Sequence, residues 1–215
     1  MIKAVIFDMD GVIADSMPLH FEAEKKTLMK YGIRASDDEL HKYTGNTVQV
    51  KFASLLEANG VNEDVQEVLR NHFSSSHKHI KENVEPVTGF MKLINGLEGH
   101  YKLGVVSGSP RKFIMDILKK FKVEGLFTSI ISADDVSKGK PHPEGFLKCA
   151  GELQVLPAEC IVIEDAPAGI KAAKTAGMHA IGLKSAHGTS YDISAADLIV
   201  DSLEKLKSGD FKSLK

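Results

Sequence analysis

Short, continuous apolar runs alternate with amphipathic segments through most of the chain. Continuous runs rich in β-branched residues are typical of strands buried on both faces of a parallel sheet. The runs are Ala4–Phe7, 103–106, 130–131, 161–163, 180–183 and Leu198–Val200. Helical periodicity of apolar positions predicts helices between them, at 112–121, Glu144–Leu153, 169–176 and 203–206. This alternation predicts βαβ units, and therefore an α/β fold with a doubly wound parallel sheet.

The stretch from about residue 15 to residue 85 interrupts this alternation. It contains no convincing strand run, but apolar residues recur there at helical spacing. The predicted helix faces carry Met17, Phe21 and Leu28, then Val50, Ala53 and Leu56, and then Val65, Val68, Leu69, His72 and Phe73. We therefore predict an α/β core domain formed by residues 1–14 and 86–215, and an inserted all-helical cap domain formed by residues 15–85.

Composition and charge narrow the class of protein. The chain has 215 residues, of which 43% are hydrophobic and 26% charged, enough for a sizeable core. The net charge of −2 carries no basic signature of nucleic-acid or membrane binding, so neither partner is expected. Cys149 and Cys160 have no metal-site spacing and fit two reduced thiols, and no signal sequence or membrane span is visible. We therefore expect a cytoplasmic protein, as a monomer or weak dimer.

Two acidic residues follow the first predicted strand directly. Asp8 and Asp10 are separated by one residue, and Gly11 allows the chain to turn at once. Ligands of open α/β sheets bind at this carboxyl end of the strands. An ionised Asp8 could attack phosphorus, while Asp10 could protonate the leaving oxygen and later activate water. Mg²⁺ would hold Asp8 ionised, and like-charge repulsion would help keep Asp10 protonated. The alternative interpretation is an ordinary solvated turn.

Two further strand ends carry groups that suit a phosphoryl group. VVSGSP at 105–110 places Ser107 at the end of a predicted strand, before Gly108, Ser109 and a helix start. A hydroxyl with backbone N–H groups at a helix N-terminus can cradle phosphate, although an ordinary serine cap is equally compatible. VIEDAPAGI at 162–170 ends a strand in Glu164 and Asp165, whose oxygens suit Mg²⁺.

A lysine–proline pair lies between these two motifs. KGKPHPE at 138–144 contains Lys138 and Lys140 ahead of a predicted helix. Pro141 restricts Lys140 to extended backbone geometry, so its ammonium group has a limited range of positions. A fixed cation facing Asp8 would offset charge on the phosphoryl oxygens. The alternative interpretation is a solvated loop lysine.

In this order, FDMDGV, VVSGSP, KGKPHPE and VIEDAPAGI resemble the four motifs of the haloacid-dehalogenase phosphatase superfamily, in its β-phosphoglucomutase-like subgroup with a helical cap after the first strand. The resemblance spans residues 8 to 165. It implies a Rossmann-like core and a Mg²⁺ cofactor. The implied roles are nucleophile for Asp8, acid/base for Asp10, phosphate ligand for Ser107, positioned cation for Lys140, and metal ligands at Asp8, the Asp10 carbonyl, Asp165 and Glu164, the last directly or through water.

The predicted cap carries weaker candidates for substrate binding. The resemblance places a histidine at the offset of His20, where it could meet Asp10 or substrate, although a helix-surface histidine is about equally compatible. Gly45 and Thr47 lie in TGNT, and Gly11, Gly108 and Ser109 complete the predicted substrate-binding set. The related mutase has a lysine before this glycine and an arginine after it to bind a second phosphate. Here Thr44 and Val48 occupy those places.

The sequence therefore predicts a Mg²⁺-dependent phosphohydrolase that acts on a small phosphorylated metabolite, of sugar-phosphate or phosphoglycolate type, through an aspartyl phosphate. A β-phosphoglucomutase and a receiver-type phosphoacceptor are the alternatives. A receiver has its acidic pair before the phosphoacceptor and lacks a helical insertion. A nucleotide-binding Rossmann protein is disfavoured because neither GxGxxG nor GxxxxGK[ST] occurs. Dehalogenase chemistry would need neither Asp10 nor the predicted metal ligands.

Overall fold

The computed structural model describes residues 1–43, 48–184, 191–209 and 211. The chain divides into two compact units. The first is formed by Met1–Asp15 together with Glu85–Lys215, and the second by Ser16–Val84.

Six strands of the first unit form one parallel sheet in the described part of the chain. They are β1 (Ala4–Phe7), β2 (Lys102–Val106), β3 (Ser129–Ile131), β4 (Cys160–Glu164), β5 (His179–Leu183) and β6 (Leu198–Val200). Their order in the sheet is β3-β2-β1-β4-β5-β6. The central strand β1 is buried along its whole length, as its unbroken apolar run predicts. Each predicted strand run falls inside one of these strands.

Helices cover both faces of this sheet. They are α5 (Phe90–Leu97), α6 (Arg111–Phe121), α7 (Glu144–Leu153) and α8 (Pro167–Thr175). Ile6 of β1 packs with Phe146 of α7 and Ile170 of α8 in one buried cluster. Phe7 points to the other face, because side chains alternate along a strand, and its ring meets that of Phe90 edge-on at 5.8 Å. The predicted α/β fold with a doubly wound parallel sheet is confirmed.

Single 3₁₀ turns occupy several of the connections between these elements. They are Glu124–Leu126, Ala133–Asp135, Pro157–Glu159 and Leu203–Lys205. The last of these falls where the sequence predicts a helix at 203–206. The Ser202 hydroxyl caps it by accepting from the Glu204 N–H, and Leu203 buries its side chain. Leu206 is also buried, but its backbone is extended, so the segment ends there and does not continue into an α-helix.

In the described residues of the second unit, all regular secondary structure is helical. Its helices are α1 (Met17–Met29), α2 (Asp37–His41), α3 (Val48–Ala58) and α4 (Val65–Asn83). They enclose their own apolar cluster, to which Phe21, Leu28, Phe52 and Val68 contribute. No helix in the described residues of either unit is long and apolar enough to cross a membrane.

Two predicted helix faces of this unit are wrong in part. Val50 is 49% exposed, and α3 instead buries Lys51, Phe52 and Leu55. Phe73 is 54% exposed, one residue beyond the buried His72. In α3 the charged residue Lys51 is buried because the oppositely charged Glu24 lies beside it. Apolar periodicity alone does not reveal such a pair.

That charged residue forms a buried ion pair. Lys51 Nζ lies 2.8 Å from both carboxylate oxygens of Glu24 on α1. The ammonium group also lies 5.3 Å from the centre of the Phe21 ring. Both side chains of the pair are almost fully buried. Burying either charge alone would be costly, so the two residues are needed together.

His72 of α4 is buried as a neutral base in the same unit. Its Nδ1 lies 3.1 Å from the Thr27 hydroxyl oxygen, and that hydroxyl donates to the Ala23 carbonyl. The network therefore assigns the ring proton to Nδ1. Burial, with smaller contributions from His20 and Lys51, lowers the pKa of His72 from 6.5 to about 4.

This lowered pKa predicts that stability falls with acidification. Between pH 6.5 and 4, His72 is protonated in the unfolded chain but stays neutral in the folded protein. The stabilisation is therefore complete above pH 6.5 and is lost towards pH 4, by at most about 3 kcal/mol. Urea unfolding at several pH values measures it. His72→Gln should flatten this dependence, whereas His142→Gln, at an exposed histidine, should retain it. An unchanged slope in His72→Gln would contradict the prediction.

Candidate active site

Three neighbouring strands end in polar side chains at one edge of the sheet. Phe7 of β1 pairs in register with Val105 of β2 and Ile163 of β4. Asp8, Ser107 and Glu164 each follow one of these paired residues by one or two positions, so they lie at the same end of the sheet. The ladder extends past β1, because the Asp8 N–H donates to the Ile163 carbonyl at 3.0 Å. Strand register thus places the predicted nucleophile at the centre of this edge.

Lys140 brings the third predicted motif to the same place. Its Nζ lies 2.5 Å from Asp8 Oδ1 and 2.6 Å from Glu164 Oε1. The ammonium group also lies 5.2 Å from the centre of the Phe146 ring. The side chain of Lys138 is exposed, and its backbone N–H donates to Glu144 instead. Of the two lysines in the motif, Lys140 is therefore the one beside Asp8.

The carboxylates of Asp8, Glu164 and Asp165 form a buried acidic cluster. Each offers an oxygen, and these oxygens lie within 4.8 Å of one another. Glu164 Oε2 accepts from the Ala166 N–H at 2.7 Å, which fixes the side chain at the start of α8. Such a concentration of charge needs compensation inside a protein.

Two glycines make room for this cluster. Gly11 has a φ of +80°, and a Cβ atom there would lie 2.1 Å from Asp165 Oδ2. A Cβ atom at Gly169 would lie 1.7 Å from Glu164 Oε1. A larger residue at either position would therefore force the neighbouring carboxylate to shift, and at Gly11 it would also have to adopt a strained backbone conformation. The predicted substrate-binding role of Gly11 stays a prediction, and the carboxylate of Asp165 lies beside this glycine.

Burial and mutual repulsion alter the protonation of these groups. Burial raises the pKa of Asp8 to about 7, Glu164 and Asp10 add to that rise, and Lys140 opposes it. Burial, followed by the charges of Glu164 and Asp8, also raises the pKa of Asp165 well above its usual range. For Lys140, burial lowers the pKa, but the two carboxylates raise it more, so the net pKa is raised. The lysine therefore stays protonated.

The donor set fits a divalent cation. Carboxylate oxygens are the ligands that Mg²⁺ prefers, and three of them converge here. The single Lys140 ammonium cannot neutralise the three carboxylates, so a dication would offset the remaining negative charge and hold Asp8 ionised. Asp8, Glu164 and Asp165 are the residues that could hold it.

Ser107 and Ser109 occupy the turn after β2. Ser107 is buried, and its hydroxyl oxygen accepts from the Ser109 N–H at 3.1 Å. The Ser109 hydroxyl donates to Asp10 Oδ2 at 3.2 Å. Gly108 lies between them, without a side chain. The second motif thus contacts the first through Ser109, a contact that sequence analysis did not predict.

A carboxylate that sequence analysis missed lies at the N-terminus of α6. The Arg111 N–H donates to Asp134 Oδ2 at 2.9 Å. The predicted phosphate cradle at this helix start therefore already has one of its N–H groups occupied. Ser132 and Asp135 form a capping box around the same turn. This S-x-x-D pattern was a signal for a capped turn at 132–135, but no local pattern indicated that Asp134 accepts from the start of α6.

The predicted substrate-binding residues of the cap are His20, Gly45 and Thr47, and none of them belongs to the first unit. His20 lies on α1 in the second unit, where it contributes to the lowered pKa of His72. Gly45 and Thr47 fall in residues 44–47, outside the described residues. Their roles stay predictions.

Comparisons with known proteins agree on one family. A model described as haloacid dehalogenase-like hydrolase matches residues 5–183. Validoxylamine A 7'-phosphate phosphatase of Streptomyces hygroscopicus subsp. limoneus is 32% identical over 208 residues, covering 96% of this chain and 97% of that protein. Beta-phosphoglucomutase of Bacillus subtilis is 34% identical over 208 residues, covering 92% and 88%. The crystal structure of beta-phosphoglucomutase from Clostridium difficile has a TM-score of 0.81 at 30% identity, covering 99% and 96%.

Proposed function

We propose that this chain, which belongs to the haloacid dehalogenase-like hydrolase family, is a Mg²⁺-dependent phosphatase that hydrolyses a small phosphorylated metabolite through an aspartyl-phosphate intermediate. One observation carries the proposal. The Asp8 carboxylate lies 2.5 Å from the Lys140 ammonium, inside a buried acidic cluster at the carboxyl end of the sheet. The groups to which the proposal assigns the roles of nucleophile, fixed cation and metal ligands therefore lie together.

In the first step an Asp8 oxygen attacks phosphorus. A new P–O bond forms, and the bond to the ester oxygen breaks with its electron pair on the leaving oxygen. Asp10 gives that oxygen its proton, so that the product leaves as a neutral alcohol. Lys140 lies against Asp8 and stabilises the negative charge on the equatorial phosphoryl oxygens.

In the second step water releases the phosphoryl group. The Asp10 carboxylate takes a proton from the attacking water, whose oxygen forms a bond to phosphorus. The bond between phosphorus and Asp8 breaks, which restores the carboxylate and yields inorganic phosphate. Mg²⁺, when bound by Asp8, Glu164, Asp165 and the Asp10 carbonyl, supplies charge neutralisation of the phosphoryl oxygens.

The ion pair of the second unit favours hydrolysis over mutase chemistry. A phosphomutase must retain a bisphosphorylated intermediate, which calls for a second phosphate-binding cation. Lys51, the first basic residue after the TGNT segment, is buried against both oxygens of Glu24. Its charge is therefore already neutralised. A phosphorylated sugar is the favoured substrate class, because the named relatives act on validoxylamine A 7'-phosphate and on a phosphoglucose.

We expect phosphate release from at least one metabolite monophosphate, and we expect EDTA to abolish it. Without the cation, the buried carboxylates repel both one another and the substrate phosphate, so activity should fall by about 10³-fold or more. A colorimetric phosphate assay over sugar phosphates and phosphoglycolate measures this, with excess Mg²⁺ added back as the control. Full activity in EDTA would contradict the cation's role, and phosphate release from no substrate would contradict the phosphatase proposal.

The mutase is the second candidate, because the Bacillus subtilis enzyme is 34% identical to this chain. Incubation with β-glucose 1-phosphate separates the two candidates. Glucose 6-phosphate without inorganic phosphate would establish the mutase, whereas inorganic phosphate alone would establish the hydrolase. The family match over residues 5–183 leaves the receiver interpretation without support.

A further inference from the structure

The Ser109 hydroxyl joins the loops that follow β1 and β2. Its Oγ donates to Asp10 Oδ2 at 3.2 Å, across 99 residues of sequence. Asp10 is the residue to which the proposed mechanism gives both proton transfers. A hydrogen bond to its carboxyl group therefore acts on the orientation of the proton donor and acceptor.

Both backbone groups of Ser109 are held in place. Its N–H donates to the Ser107 hydroxyl oxygen at 3.1 Å, and its carbonyl accepts from the Ala133 N–H at 3.1 Å. With the main chain fixed on both sides, the hydroxyl can reach only a small volume. Ser109 therefore offers its donor at a defined position.

The main chain around Asp10 is fixed as well. The Gly11 N–H donates to the Ala14 carbonyl at 2.8 Å, and the Ala14 N–H donates to the Met9 carbonyl at 2.9 Å. Asp10 also forms an isolated β-bridge with Ala14. The remaining freedom of Asp10 is rotation of its side chain, and the bond from Ser109 restricts that rotation.

We propose that Ser109 is a positioning residue that orients the Asp10 carboxyl group for proton transfer, an inference that rests on the proposed function. With Oδ2 accepting from Ser109, the carboxyl group presents Oδ1 as the oxygen that carries the transferred proton. In the first step that proton moves from Oδ1 to the leaving oxygen as its bond to phosphorus breaks. The Ser109 hydroxyl keeps its own proton and does not touch the reacting atoms.

The test compares substrates whose leaving groups differ in their need for a proton. The leaving group of a sugar phosphate departs as an alkoxide unless it is protonated. The leaving group of 2,4-dinitrophenyl phosphate departs as a stable phenolate. Since kcat/KM reports the steps up to departure of the leaving group, Ser109→Ala should lower it about 10- to 100-fold for the sugar phosphate. For the dinitrophenyl ester it should change by less than about threefold. Ser109→Thr keeps the hydroxyl and should restore most of the loss.

Asp10 must activate water in the second step whichever substrate was used in the first. The kcat for the dinitrophenyl ester therefore reports on the second step, in which water releases the phosphoryl group. If release of the phosphoryl group limits turnover, Ser109→Ala should lower this kcat while leaving kcat/KM nearly unchanged. A residue with a merely structural role would lower both constants for both substrates, together with the melting temperature. Equal losses of kcat/KM for the two esters, full activity of Ser109→Ala, or no rescue by Ser109→Thr would each overturn the proposal.

Ser194→Ala is the matched control. The exposed Ser194 also donates its hydroxyl to a carboxylate, Asp192 Oδ1, at 2.6 Å. Ser194→Ala removes a serine–aspartate hydrogen bond from the same unit, and the variant should hydrolyse both esters at wild-type rates. The wild-type protein tests the proposed function first. If it releases phosphate from neither ester, the phosphatase proposal fails. If the wild type is active but Ser109→Ala lowers kcat/KM equally for both esters, only the inference about Ser109 is refuted.

Discussion

Asp8→Asn is expected to lower kcat by about 10⁴-fold or more, because an amide cannot form the aspartyl phosphate on which both proposed steps depend. The substitution preserves the size of the side chain, so the surrounding packing should persist. Phosphate release measures the loss of turnover. Acid-quenched labelling with substrate carrying ³²P measures the covalent intermediate, which should be absent from the variant.

Asp201→Asn is the matched control for this substitution. Asp201 is exposed in the same unit, where it pairs with Lys205 at 2.8 Å. It should retain wild-type turnover and labelling. Turnover by Asp8→Asn at a rate comparable to wild type, or equal labelling of the two proteins, would remove Asp8 as the nucleophile and the mechanism with it.

Lys140→Met is expected to lower kcat by about 10³-fold, since it removes the fixed positive charge that stabilises the transferred phosphoryl group. Asp8 and Glu164 would then lose the ammonium group that lies within 2.6 Å of both. Because Lys140 opposes the raised pKa of Asp8, its removal should raise that pKa further in the metal-free protein. Steady-state kinetics with the preferred phosphate ester measures the effect.

Lys138→Met is a close control because it lies on the same loop. Its side chain is exposed, so the same loss of charge and hydrogen-bonding capacity occurs two residues away without contact with Asp8. This variant should keep wild-type kinetics, and circular dichroism should show both variants folded at the assay temperature. Equal losses of activity in the two variants would mean that the contact between Lys140 and Asp8 contributes nothing specific.

The strands were predictable because their signal is local. A parallel strand buried on both faces needs apolar side chains at consecutive positions, as β1 shows at Ala4–Phe7. The same signal indicates where a strand ends, and so where Asp8 follows β1 and Glu164 ends β4. The convergence of four motifs at one edge follows from parallel topology, which the alternation of strands and helices already implied.

One error arose where a partner distant in sequence decides the outcome. Lys51 is buried because Glu24, 27 residues earlier, neutralises it, and Val50 is exposed as a consequence. The bond from Ser109 to Asp10 likewise spans 99 residues. Periodicity within one helix or loop carries no information on such pairs, since either residue alone would be placed at the surface.

The separation of the catalytic segments along the chain has a consequence for biosynthesis. Asp8 emerges from the ribosome before its partners, because its contact with Lys140 spans 132 residues and the contact of that lysine with Glu164 a further 24. A nascent chain that has not yet been translated through β4 lacks the acidic end of that strand, whatever else has already folded. Enzymatic competence should therefore appear only after the chain has been translated through β4, so that polypeptides truncated before that point do not consume phosphorylated metabolites.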